Sequence, residues 1–511
     1  MLKSYSRLLT CVMLAAIIIS SLIMPGCKPD IKEDGVFYVS PKGNDNNSGS
    51  KNYPFKTIKR AQEAVRAIND SMTRDITVNL FGGTYYADET LDFIEEDSGS
   101  GGYKVIWQGM EGEEAVISGG RQITGWKKGD NGIWYADVPD FKLFRELYVN
   151  DTLMSRAALP YPYNNGISWI KEYGEYIGFT MPKTKTLEQL VGEKNLEVSN
   201  HVIWRSVRLP VEEVRDLGNK LGFYIKYPLL NFAVTGQHQN FDYSEYFFIE
   251  NALCLLDSPG EWFLDKENMR VYYMPLPGQD VRKCNIVAPQ TEQILSVGGN
   301  SVRAKIVDVT FRNISFKYGN WTMPSEKGFI ALQGSTMYER ASGRMIESQV
   351  PGNVYVKNAR SVTFERCSFS LMSGTALVLR RGLENCTVNG CAFYDLCEAA
   401  IVIGQSRNIR VDEQGNWDLN PNTTVSNCVI TRVGKIYPNA CAIQLYYTKG
   451  AQIIHNEISE CPYTGISLGW GWGNNDIEGT GDNRIANNIV SRCNLTCWDG
   501  GTFYSLGKQQ G

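Results

Sequence analysis

Histidine is scarce in this 511-residue chain, which holds only His201, His238 and His455. No CxxC pair sits opposite any of them, which argues against a zinc site, and no metal or cofactor is expected. Charge of one sign is also lacking. Lys and Arg number 51 against 55 Asp and Glu, a net charge of −4. With no basic stripe and no DNA- or RNA-reading motif, a nucleic-acid partner is not expected. Beyond residue 309 the repeating rows contain no ten-residue helical period, so short strands must build that half. The hydrophobic content of 43% is ordinary, while 49 Gly, 27 Tyr and 11 Trp suit a turn-rich β protein with an aromatic surface, as sugar binders often have.

Cysteine, by contrast, is plentiful for an exported chain: thirteen residues. Cys11 and Cys27 fall in an N-terminal targeting segment, which leaves an odd number. Cys367, Cys391 and Cys428 share one position of a repeat and read as small apolar residues stacked in an interior. A disulfide framework is disfavoured because a core of this size needs no staples. Cys493 and Cys497 lie close enough in sequence to pair, but they equally fit a turn.

The repeat dominates the second half. VTFRNISF, VTFERCSF, CTVNGCAF, TTVSNCVI, IIHNEISE and RIANNIVS align so that Phe311, Phe364, Val388, Val425, Ile454 and Ile485 form one column. Asn313, Arg366, Gly390, Asn427, Asn456 and Asn487 follow two places later. The next column is Ile314, Cys367, Cys391, Cys428, Glu457 and Asn488. Most rows carry a further strand: TALVLRR, AAIVIGQ, CAIQLYY, TGISLGW and GGTFYSLG. A unit that cannot bury its own apolar face must stack on copies of itself. The expectation is an all-β chain built on a right-handed parallel β-helix, with any active site on an outer face. Stacked Asn amides can hydrogen-bond from row to row and tolerate left-handed turns, so Asn427, Asn456 and Asn487 are assigned to the fold.

Organisation follows from composition. Residues 1–27 read as a lipoprotein signal: Lys3 and Arg7, an apolar run from Leu8 to Met24, then Pro25-Gly26-Cys27, with Cys27 the lipidation site. A simple secretory signal or an uncleaved anchor are the alternatives, and each of the three exports the chain. Residues 28–35 are a charged tether. Residues 36–120 read as an N-terminal cap and first rungs, with a strand at Val36–Val39 and a helix from the N-cap Thr57 through Ile68. Residues 121–290 lose the repeat and read as an inserted β-sandwich-like domain, the alternative being long loops around irregular rungs. LEQLVGEKNL is expected to be a short helix there. Residues 291–511 are the repeats, with long loops at Thr322–Asn358, Ser406–Asn422 and Gly469–Gly481.

Candidate chemistry concentrates in the last rows. Asp499 opens DGGTFYSLG, where earlier rows carry Gly374, Glu398, Ala440 and Tyr463. A carboxylate followed by two glycines leaves an open approach, although an Asp-Gly turn is common. One row earlier, Trp470 and Trp472 separated by Gly, beside Asn474, offer a flat apolar platform for sugar rings; one of the two indoles is expected to pack as core. Glycoside hydrolysis needs paired carboxyls about 5–5.5 Å apart for retention or about 6.5–9.5 Å for inversion. Neighbouring rungs lie about 4.8 Å apart, so acids on adjacent rungs meet the requirement. Asp476, Glu478, Asp482 and Glu457 lie within about one rung of Asp499, and Asp476 is the preferred partner because its loop should hang over the same face. Glu398 and Tyr504 are placed as further sugar contacts.

Several segments resemble a large group of exported bacterial β-helix proteins. They are FYVSPKGNDNNSGSKNYPFKTI, LFGGTYY, ISGGRQITGWK, FRELYVND with SRAALP, IENALCLLDSPGEWFLD with VYYMPLPG, TGISLGWGWG and DGGTFYSLGKQQG. The group is close to glycoside hydrolase family 141, which holds α-L-fucosidase and xylanase activities. The resemblance runs from about Val36 to the end. It implies a β-helix with an inserted β-sandwich, a periplasmic or surface location, a plant or host polysaccharide as substrate, and aspartates on the β-helix as catalytic acids. Asp499 matches one of these. The chain stops at Gly511, directly after a rung, where related proteins continue. Either the sequence is truncated or the cap is missing, and if the second acid lies beyond Gly511 this chain is expected to be inactive. A monomer, tied to a membrane only by its lipid, is expected. The competing classes are a polysaccharide lyase, which needs a cation or Arg at a uronate (Arg484, Arg492 and Lys508 are near Asp499), and a non-catalytic glycan-binding surface protein.

Overall fold

The computed structural model describes residues 35–161, 166–235, 241, 246–407, 417–471, 477 and 479–509. The signal and Cys27 lie outside the described residues. So do Trp472, Asn474, Asp476 and Glu478.

The chain begins as expected. The strand Val36–Val39 pairs in parallel with Ile76–Leu80, and that strand pairs with Val105–Gly109. The helix Ile58–Arg66 starts where the Thr57 hydroxyl accepts from the Arg60 N–H at 3.1 Å. Its buried Ile58, Ala61, Ala64 and Val65 join Phe37 and Phe55 in the same core that runs through the stack. The helix thereby covers the open end, whose bare strand edge would otherwise invite pairing.

Beyond it, three parallel sheets wind into one right-handed β-helix. One sheet carries Val309–Arg312, Thr363–Glu365, Thr387–Asn389, Thr424–Ser426, Gln452–Ile454 and Arg484–Ala486. The second carries Ile314–Lys317 through Ile489–Ser491. The third runs from Leu295–Gly298 to Phe503–Ser505. Phenylalanines stack inside, with ring centroids 5.2 Å apart for Phe311–Phe364 and 4.6 Å for Phe369–Phe393.

The turn from first to second sheet needs one residue in the left-handed region. Asn313, Arg366, Gly390, Asn427, His455 and Asn487 supply it, with φ between 51° and 65°. This corrects the alignment of one row. Val425 pairs with Ile453, and Ile453 with Ile485, so Ile454, Asn456 and Glu457 each stand one place later than the repeat placed them. A one-residue slip exchanges the inner and outer faces of a strand. Ile453 is fully buried and Glu457 is exposed. The interior column is Cys367, Cys391, Cys428, Asn456 and Asn488. The described cysteines are free. At the end of the column an amide ladder takes over: Asn456 Nδ2 donates to Asn488 Oδ1 at 2.9 Å and to Val425 O at 3.0 Å, and Asn488 Nδ2 donates to Ile453 O at 2.8 Å.

The chain leaves the stack at Gly120–Gln122, which pairs antiparallel with the returning Ile286–Pro289. Between them lie antiparallel sheets with cores of their own, one around Phe179, Leu209, Phe223 and Phe247, another around Val149, Trp262 and Tyr273. The helix expected in LEQLVGEKNL is displaced: one turn forms at Lys185–Glu188 and shares only Leu187 and Glu188 with it, and turns follow. The segment Thr322–Asn358, expected as a loop, instead extends the inserted sheet and then enters the third β-helix sheet at Gly352. Val207 pairs with Ile330, and Thr336–Ala341 forms a hairpin with Arg344–Gln349. Ser342 and Gly343, both at positive φ, make its tight turn. This hairpin lies over the outer face of the third sheet, where Tyr338 packs with Leu332, Val378, Val402 and Tyr446.

Candidate functional site

The corner between the second and third sheets is where rows differ most. Leu377, Ile401, Ile443, Ile466 and Phe503 are in register. Counting back three residues places Gly374, Glu398, Ala440 and Tyr463 level with Gly500, not Asp499. The expected column therefore slips by one, and the two acids have opposite surroundings.

Asp499 is exposed, with φ at 62°, a conformation that Asp tolerates better than most residues. Its carbonyl accepts from the Tyr463 hydroxyl at 3.1 Å, and that hydroxyl accepts from Gln333 Nε2 at 3.0 Å. Gly500 is required by close approach: a Cβ there would stand 2.6 Å from Thr464 Oγ1 and from the Tyr463 ring. The inserted domain pins the same corner. The Trp498 N–H donates to Ile203 O at 2.8 Å, at the tip of the hairpin formed by Glu197–Val202 and Arg205–Asp216. Ile203 has φ 45°, a strained conformation for a β-branched residue, in the two-residue turn of that hairpin. Beside it, the buried Arg205 donates to Leu332 O at 3.2 Å and lies 4.4 Å over the Trp204 ring. Burial lowers its pKa to about 10, so it stays charged at neutral pH.

Glu398 is wholly buried. One carboxylate oxygen accepts from Thr375 Oγ1 at 2.6 Å and from the Ala399 N–H at 2.7 Å. Burial raises its pKa, although both hydrogen bonds and the neighbouring Ser335 hydroxyl oppose the rise. A sugar does not reach this carboxyl in the structure; it braces the corner from within. Trp470 is likewise packed, not presented. It is 3% exposed, meets Tyr446 edge-on at 5.2 Å, and its indole N–H donates to Glu347 Oε1 at 3.2 Å. Tyr504 stands on the outer face of the third sheet, level with Ser467 and half-buried.

Glu347 is the acid that sequence reasoning missed. It lies on the unexpected hairpin, and burial raises its pKa against hydrogen bonds from Ser406 and Trp470. Its only sequence signal was the alternation in RMIESQ around a Ser-Gly turn. Asp482 and Glu457 fall on rungs beside the site, and both lie away from the Asp499 corner in sequence position, on or next to the first and second sheets. No group of three or more His, Cys, Asp or Glu among the described residues comes together as a metal site.

Fold and corner together define a parallel β-helix protein with an inserted β-domain docked on its last described rungs. Residues 131–276 match the family model described as the GH141 insertion domain, and residues 352–509 match the right-handed β-helix region. A solved structure titled "Glycoside hydrolase" superposes with a TM-score of 0.82 at 28% identity, over 93% of this chain and 86% of that one. A complex of XylC with xylose shares the fold, with a TM-score of 0.50 at 13% identity, over 90% of this chain and 62% of that one. The uncharacterized protein YwoF of Bacillus subtilis (strain 168) is 40% identical over 82 residues, which span 16% of this chain and 15% of that protein. The chain thus resembles family 141 glycoside hydrolases in its inserted domain, while its solenoid matches the general right-handed β-helix region.

Proposed function

We propose that this protein is a glycoside hydrolase acting on plant cell-wall or host polysaccharide, of α-L-fucosidase or xylanase type. Asp499 supplies one catalytic carboxyl and Asp476, on the segment after Trp470, the other. The observation that carries the reading is the Asp499 corner: an exposed carboxylate in a left-handed conformation, backed by a glycine that admits no side chain, and clamped by the tip of the inserted domain. The insertion-domain match and the 28% identical glycoside hydrolase structure support a glycosidase-type activity.

In the reaction, a protonated carboxyl donates to the leaving glycosidic oxygen. The other carboxylate attacks the anomeric carbon or activates a water that does. Acids on neighbouring rungs, about 4.8 Å apart, meet such a separation. Trp470 is held by Glu347, and Trp472 and Asn474, which follow it in sequence, are assigned as sugar contacts together with Tyr504 on the third sheet. We place the protein outside the cytoplasm, tethered through a lipid on Cys27. Mass analysis of the mature N-terminus of the wild type and Cys27→Ala tests that placement; a fatty-acyl adduct on the wild type alone supports it, and identical unlipidated termini contradict it. Activity is tested by incubating wild type and Asp499→Asn with fucosylated and xylan substrates. Release of fucose or xylose by the wild type alone supports the assignment, and equal turnover removes Asp499 from the mechanism.

A further inference from the structure

A cleft of about 600 Å³ opens where the inserted sheet meets the corner loops of the β-helix. Leu495 and Thr496 form part of its wall, on the loop that goes on to Asp499. His201, Ser206 and Val207 form another part, on the hairpin whose tip holds Trp498. The cleft and the candidate catalytic corner are therefore two ends of one surface.

Its lining is cationic. Arg145, Arg156, Arg208, Arg432 and Lys435 face it, against the carboxyls of Glu146, Glu250 and Glu460. Much of the compensating negative charge sits behind the wall. Glu197 binds Arg145 and Arg156 from beneath, and Asp395 holds Arg432 at 2.9 Å and Lys435 at 3.1 Å. Neither carboxylate lines the cleft. Of the lining cations, Arg208 pairs with Glu250 at 2.6 Å and Arg156 lies 3.8 Å from it, while Arg145, Arg432 and Lys435 pair with the carboxylates behind the wall. Planar, forked guanidiniums match a carboxylate in two-point geometry.

We propose that this cleft is a subsite for a uronate, an acidic sugar of the glycan whose neighbouring residue is presented to Asp499. The inference rests on the glycan-active reading for the identity of the ligand as a sugar. Its recognition chemistry stands on the cleft alone.

The test is calorimetry with Asp499→Asn, so that turnover does not enter. The probes are trigalacturonate, its methyl-esterified counterpart of the same shape, and neutral xylotriose. The uronate is expected to bind about tenfold or more tightly than either neutral probe, and to weaken as salt rises. The double variant Arg432→Gln/Lys435→Gln on the same background, both residues at the cleft mouth, is expected to lose that preference while keeping the melting temperature. Equal binding of uronate and ester overturns the proposal, as does no binding of the uronate. Displacement of the uronate by an equal concentration of inorganic sulfate also overturns it, because the cleft is then a general anion site. Loss of hydrolysis in Asp499→Asn with the uronate preference intact leaves the subsite standing apart from the catalytic assignment.

Discussion

Glu197 is the staple of the inserted domain, and removing it is the most demanding test of how that domain is held together. Its side chain is 1% exposed. It accepts from Arg145 Nη1 at 3.0 and 2.8 Å, from Arg156 at 2.9 and 3.1 Å, and from the Ser325 hydroxyl at 2.5 Å. These partners come from different places: Arg156 from the strand Ser155–Arg156, which pairs with Glu261–Asp265 in the smaller sheet, and Ser325 from the helix Met323–Lys327. Burial alone pushes the Glu197 pKa up, but Arg145 and Arg156 pull it well below the ordinary carboxylate value of 4.5. Glu197→Gln strands two buried guanidiniums. Breaking a buried pair in this way costs about 3–5 kcal/mol. If the inserted domain unfolds as one unit, that is a fall of about 6–20 °C in its melting temperature. Differential scanning calorimetry reads the transition, and hydrogen exchange on Glu197–Val202 assigns it to the insertion. Because the folded pKa is depressed, the contribution is present above 4.5 and is lost as pH falls through the lower folded value. The gap between wild type and variant should therefore hold from neutral pH down to about pH 5 and close below it. A shift under about 2 °C, or a gap that persists unchanged in acid, refutes the assignment of the staple.

Other perturbations probe the stack and its corner. Glu398→Ala leaves the Thr375 hydroxyl and the Ala399 N–H unpaired in the interior and should cost about 2–4 kcal/mol in urea unfolding. Glu398→Gln should stay within about 1 kcal/mol at neutral pH, since the raised pKa already makes the charged form costly, and the wild type should gain on it as pH falls. Asn456→Ala cuts the interior amide ladder and should cost about 1–3 kcal/mol, seen as faster exchange of the Cys428 amide, which donates to Asn456 Oδ1. Gly500→Ala forces a Cβ to 2.6 Å from Tyr463 and Thr464, so turnover should drop while far-UV circular dichroism stays unchanged.

The solenoid and its cap were legible in the sequence because apolar periodicity and turn residues report directly on rung geometry. The Thr57 cap and the stacked Phe and Cys columns are local consequences of that pattern. Legibility failed where the pattern was degenerate. In IIHNEIS two adjacent isoleucines compete for the inward position, and only pairing with Val425 and Ile485 selects Ile453. The hairpin at Thr336–Gln349 was hidden because it joins the inserted sheet through Phe329–Ala331, whose own partner strand Arg205–Asp216 is more than a hundred residues away in sequence. The same distance concealed Glu347, and it concealed the cluster of Arg145, Arg156, Glu197 and Glu250, since nothing in those residues' own neighbourhoods foretells their meeting. Asp499 was legible from its DGG setting. That Glu398 is a buried brace, unlike Asp499, depends on a single step of register.

The central claim is that the Asp499 carboxylate at the pinned corner cleaves glycosidic bonds. Its most direct test is the initial rate of monosaccharide release from a fucosylated or xylan oligosaccharide by the full chain and by Asp499→Asn, at matched folded concentration. Loss of a catalytic acid or base predicts a fall of about 10²–10⁴-fold in the variant with an unchanged melting temperature. Rates for the two proteins within about twofold of each other contradict the account.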